Sequence, residues 1–118
     1  MRDSSSSFVK VSYLNGSAIL AQLHHAAQAL KRNPNVIIAY LFGSLVRGDY
    51  APGSDADVAI LLREDDRRML DRIPEYMDYF DDVEVAVDVF PYTIAEVHRM
   101  ESSNNAFWRE IVTTGKEL

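Results

Sequence analysis

The stretch Leu41–Leu62, reading LFGSLVRGDYAPGSDADVAILL, limits what the chain can fold into more than any other part of it. It begins at the end of the hydrophobic run Val36–Phe42, turns at Gly43-Ser44, passes Gly48, Pro52 and Gly53, and enters a second apolar run carrying Asp55 and Asp57. Short apolar runs bounded by glycine and proline predict a strand, a turn, a loop and a second strand. Residues two apart on a strand point to the same side, so Asp55 and Asp57 present two carboxylates on one face where the chain leaves the loop. Hard oxygen donors so placed suit Mg²⁺, which commonly shares its coordination between carboxylates and substrate phosphates. Gly43-Ser44 suits the phosphate side, because glycine lets an anion approach backbone N–H groups and serine adds a hydroxyl donor.

The rest of each run says where such a site must sit. Val36–Phe42 is continuously apolar and rich in β-branched residues, as expected of a central strand covered on both faces. After the aspartates, Val58, Ile60 and Leu62 fall on one side and Ala59 and Leu61 on the other. The carboxylates therefore belong at the strand mouth, since burying two charges in mid-sheet is costly.

Gly43-Ser44 followed by Arg47-Gly48, then Ser54-Asp55-x-Asp57 leading into an apolar strand, resembles the signature of the DNA polymerase beta-type nucleotidyltransferases, specifically their minimal branch. The resemblance covers most of the chain. It implies a third carboxylate on a later strand, and Asp88 in VEVAVDVF is the candidate. By the same resemblance Asp55, Asp57 and Asp88 are the catalytic ligands of two Mg²⁺ ions, with Mn²⁺ able to replace them, and Gly43, Ser44, Arg47 and Ser54 contact the nucleotide. Two segments depart from the usual wording: Leu45-Val46 stand where Arg and Ala are common, and Ala56 where a larger aliphatic is common.

Charge and length narrow the substrate. A formal net charge of -6, with twelve dispersed Lys and Arg, disfavours a long nucleic acid. The absence of cysteine excludes disulfides and thiolate chemistry and fits a reducing compartment. No apolar run approaches the roughly 20 residues of a membrane span, and the serine-rich start is unlike a secretion leader, so a cytoplasmic protein is expected. With 118 residues, the expected organisation is a disordered terminus over residues 1–10 and a single nucleotidyltransferase domain over 11–118.

The remaining chain supplies the layers. Leu20, Leu23, Ala27 and Leu30 predict an amphipathic helix over Ser17–Arg32, with His24 and His25 as solvated residues on it. Arg63–Asp82 has near-helical apolar spacing that Pro74 should break or restart, and Asp65, Asp66, Arg67 and Arg68 read as a solvated face. Val83–Phe90 predicts a strand ended by Pro91, with four valines on one face and Glu84, Ala86, Asp88 and Phe90 on the other. Glu84 would lie about 13 Å from Asp88, too far to share one metal. Thr93-x-x-Glu96 predicts a capping box. Asn104 or Asn105 should cap a last helix carrying Phe107, Trp108 and Ile111, with Trp108 in the core or an interface and Gly115 at the C′ position. Lys116–Leu118 reads as a short final strand or a frayed end. Together these elements predict a small α/β (α+β) domain, a mixed sheet flanked by helices.

The resemblance implies transfer of a nucleoside monophosphate, AMP from ATP or another nucleoside triphosphate, to an acceptor hydroxyl. So short a chain leaves little for acceptor binding, so a partner or a second copy (a homo-oligomer) should present the acceptor. In the minimal branch that partner is a small helical HEPN-type toxin, and the nucleotidyltransferase is the antitoxin. Two other readings stay open: an antitoxin acting by binding alone, and a nucleotidyltransferase for a small molecule of the antibiotic type.

Overall fold

The structure, a computed structural model, describes residues 16–47 and 55–118. The predicted terminus over residues 1–10 therefore lies outside the described residues. Helix α1 (Gly16–Leu30) leads into strand β1 (Val36–Phe42), and the short helical turn α2 (Ser44–Arg47) follows. Strand β2 (Ala56–Leu62) precedes helix α3 (Met69–Met77), a 3₁₀ turn at Asp78–Phe80 and strand β3 (Val87–Thr93). Helices α4 (Ile94–Ser102) and α5 (Ala106–Thr114) and the two-residue strand β4 (Lys116–Glu117) complete the order. Among the described residues no helix is long and apolar enough to cross a membrane.

The four strands form one mixed sheet in the order β3-β2-β1-β4, with β1 antiparallel to β2 and β4, and β2 parallel to β3. The α+β architecture and the central place of β1 follow the expectation from sequence. Alternation along the strands divides the side chains between two layers. On the first face Ala56, Val58, Ile60, Leu62, Val87 and Val89 are buried with Ile19, Leu23, Ala27 and Leu30 of α1 and with Tyr76 and Phe80. On the second, Phe42 and Ala59 pack with Val97, Trp108 and Ile111, supported by Tyr40, Leu61, Phe90, Tyr92 and Met100. A register shift between Val36 and Ile38 lets Val36 and Ala39 serve the same core although they are three residues apart.

Three local expectations fail. The third strand does not run over Val83–Phe90 but over Val87–Thr93, with Pro91 inside it. A strand needs a partner. Among the described residues β2 begins at Ala56, whose N–H donates to the Ala86 carbonyl, so the ladder starts there. Upstream, the Glu84 N–H donates instead to Gln22 Oε1 of α1, at 2.8 Å, and Gln22 Nε2 donates to the Glu84 carboxylate at 2.6 Å. Pro91 is tolerated because β3 is an edge strand and, although its ring is buried, its backbone is turned away from β2: its carbonyl accepts from Arg72 Nη1, so the missing N–H costs no ladder bond. Helix α3 likewise runs through Pro74 rather than breaking there. Gly115 caps α5 in an extended conformation, φ -69°, and not in the left-handed one a C′ glycine favours.

The expected solvated face of Arg63–Asp82 contains a buried clamp. Arg72 is 3% exposed. Its Nη1 and Nη2 donate to the two Glu96 oxygens at 2.7 and 3.0 Å, and Nη2 also donates to the Asp65 carbonyl at 3.1 Å. Its Nε has no hydrogen-bond partner and lies 3.8 Å from Asp65 Oδ1. Glu96 is at once the capping-box acid of α4, accepting from the Thr93 N–H at 2.9 Å. One carboxylate thus ties α3, the β3 edge and the start of α4 together, and the Arg72 hydrogen bond holds it below the usual carboxylate range.

Candidate active site

The site is built where β1, β2 and β3 present their ends together. Asp57 pairs with Phe42 of β1 on one side and with Asp88 of β3 on the other. Paired residues on neighbouring strands project to the same face, so the Asp57 and Asp88 carboxylates are immediate neighbours. Asp55 precedes β2 by one residue and lies two before Asp57, at the exposed mouth. Asp88 is exposed and Asp57 half-buried. Strand register thus sets Asp88 beside Asp57, at the N-terminal ends of two parallel strands.

β1 delivers the chain to this point and Gly43 turns it. Gly43 has φ +86°, the left-handed region that side chains disfavour, and a Cβ added there would lie 2.5 Å from Asp57 Oδ2. Glycine is therefore required twice, for the backbone angle and for the approach of the Asp57 carboxylate. The Val46 N–H donates to the Gly43 carbonyl at 3.1 Å, closing the turn from which Ser44 opens α2 half-buried. Ser54 and the side chain of Arg47 lie outside the described residues. Leu45 and Val46, the departure from the family's wording, pack against the core formed with α1.

Donor chemistry and placement fit a hard divalent cation: carboxylates on one sheet face, beside a turn whose glycine admits close approach. Among the described residues, however, no three His, Cys, Asp or Glu side chains are gathered into a formed metal-binding group. Asp57 and Asp88 are neighbours on one face of the sheet, and Asp55 stands one residue before β2. Glu84, which lies before β3, is engaged with Gln22.

Sequence reasoning overlooked the apolar half of this face. Phe42, opposite Asp57, and Phe90, two residues beyond Asp88 on the same side, have ring centroids 5.5 Å apart. Phe107 of α5 completes a triangle, 5.5 Å from each. The parity of Phe42 and Phe90 relative to the aspartates was readable, but the contribution from α5 was not. Trp108, its neighbour, is buried in edge contact with Tyr92 at 6.1 Å, the core role expected of it. A concavity of about 480 Å³ lined by Met69, Tyr92, Glu96, Arg99, Met100 and Ser103 includes none of the three aspartates.

Comparison with known proteins agrees with this fold. Residues 24–118 match the family described as "Polymerase beta, Nucleotidyltransferase". The fold is similar to that of a candidate nucleotidyltransferase from Sulfolobus solfataricus, with 22% identity over 84% of each chain and a TM-score of 0.50. It is also similar to a chain from a point variant of the toxin–antitoxin complex MntA-HpeT, with 25% identity, coverage of 88% of this chain and 71% of that one, and a TM-score of 0.50. No curated protein matches the chain.

Proposed function

Since the chain belongs to the polymerase beta nucleotidyltransferase family, we propose that it moves AMP from ATP to a hydroxyl on a small helical partner protein of the HEPN type, as the antitoxin of a toxin–antitoxin pair. The in-register neighbours Asp57 and Asp88, with Asp55 at the same strand mouth, carry the reading. The acceptor oxygen attacks the α-phosphorus of ATP, the bond from that phosphorus to the oxygen bridging toward the β-phosphate breaks, and pyrophosphate leaves with the electron pair. The acceptor proton passes to solvent.

Asp55, Asp57 and Asp88 would hold two Mg²⁺ ions, or Mn²⁺, which would neutralise charge on the attacking and leaving oxygens. Asp55 and Asp57 are assigned as shared ligands, and Asp88 as the ligand on the side of the acceptor hydroxyl. The Gly43-Ser44 turn donates N–H and hydroxyl hydrogen bonds to the β- and γ-phosphates, with Arg47 and Ser54 as further nucleotide contacts. Similarity to a chain of the MntA-HpeT complex supports a toxin–antitoxin setting. The formal charge of -6 favours a protein acceptor over a polynucleotide.

Incubation of the purified chain with α-labelled ATP, Mg²⁺ and lysate of its own cell tests the reading. Label on a discrete protein band with wild type, and none with Asp55→Asn/Asp57→Asn, is the expected result. Retained partner neutralisation by the double variant without any transfer would replace it with an antitoxin that acts by binding alone. Label on a low-molecular-weight product and on no protein would point to a small-molecule acceptor.

A further inference from the structure

The aspartate face ends in an aromatic cluster whose outermost ring is held edge-on by the other two while keeping part of its own surface open to solvent. Phe42 is 4% exposed and Phe90 half-buried, so both are core residues of the second layer. Phe107, at the second position of α5 after the Asn105 cap, is 39% exposed. Its planes make angles of 80° and 60° with the other two rings, so neither neighbour stacks flat on it. The triangle begins opposite Asp57 and two residues beyond Asp88, and Phe107 is its exposed corner.

Resting on the nucleotidyl-transfer reading, we propose that Phe107 is the base-stacking residue of the site, with Phe42 and Phe90 fixing its ring in place. A nucleotide joins its base to its α-phosphate through one ribose. With the phosphates along Gly43-Ser44 and the α-phosphorus at Asp57 and Asp88, the base falls beside the adjoining aromatic wall. Stacking on one exposed phenyl ring requires no particular hydrogen-bonding pattern, so Phe107 contributes affinity for a purine or pyrimidine ring in general and little discrimination between bases.

Calorimetric titration of the full chain with ATP and, separately, with inorganic tripolyphosphate, both with Mg²⁺, tests this without any turnover. Phe107→Leu keeps apolar bulk but removes the ring, and should weaken ATP about tenfold while tripolyphosphate stays within about twofold. Phe107→Trp should restore or tighten ATP binding. Phe107→Gln, at a partly exposed position, provides a second ring-free variant should the leucine pack differently. ATP affinity unchanged in both ring-free variants overturns the proposal, as does an equal loss for both ligands, which marks a structural role. Wild-type protein that binds tripolyphosphate as tightly as ATP also overturns it while leaving the phosphate site intact. Wild-type protein that binds neither ligand overturns the nucleotidyl-transfer reading as well.

Discussion

The two faces of the sheet follow the same alternation and reach opposite ends. On the first, every inward residue of β2 from Ala56 to Leu62 is buried, as are Val87 and Val89, beneath α1, Tyr76 and Phe80. On the second, the same strands open with Asp57 and Asp88 and become apolar only from Ala59 and Phe90 onward, where α4 and α5 cover them. Burial on this face therefore stops short of the strand ends. The carboxylates are kept where water can reach them, and the uncovered length is the space that the proposed nucleotide would occupy. The covered face supplies the rigidity that the open end uses.

Substitutions on the two faces should separate stability from activity. Ile60→Ala, on the covered face, should cost about 2–5 kcal/mol in a denaturant titration. Asp88→Asn, exposed on the open face, should leave stability within about 0.5 kcal/mol and lower nucleotidyl transfer about a thousandfold. Comparable destabilisation by both would show that Asp88 belongs to the scaffold. Gly43→Ala should act on both properties at once, because strain at positive φ costs about 1–3 kcal/mol and the new methyl displaces the Asp57 carboxylate. A Gly43→Ala protein with full transfer activity would break the link between the turn and Asp57.

The smallest expected effect lies in the clamp beside these layers. The Arg67 hydrogen bond foremost, with backbone hydrogen bonding and the charges of Arg67 and Arg72, holds the Asp65 carboxyl down at about 2 from 3.8. A carboxylate depressed on folding contributes stability above its unfolded value and loses it as pH falls through the folded one. Stability should therefore decline from about pH 4 toward pH 2, and the lowered Glu96 adds to the same limb. Asp65→Asn should flatten this part of a stability-against-pH curve. An unaltered curve would assign the acid sensitivity to other groups.

What local chemistry controls, the sequence determined by itself. Thr93 and Glu96 form the capping box, and Asn105 caps α5 through the Trp108 N–H at 2.9 Å. Gly43 marks the turn because its angle is one that glycine adopts freely. Each of these depends on residues a few positions apart. The resemblance carried by Gly43-Ser44 and Asp55-x-Asp57 led to Asp88 as well, but its adjacency to Asp57 is a matter of strand register.

Tertiary structure decided whatever depends on a distant partner. The valine alternation from Val83 is satisfied by contact with the core, yet the backbone becomes a strand only at Val87, where β2 is there to pair with it. Pro91 stays inside β3 because that strand is at the sheet edge, and Arg72 is buried because Glu96 and the Pro91 carbonyl await it. Phe107 joins the aspartate face only because α5 returns to the sheet beside Phe42 and Phe90. Periodicity fixes which side of its own element a residue occupies. Which other element meets that side depends on long-range packing, and a single element's pattern carries no record of it.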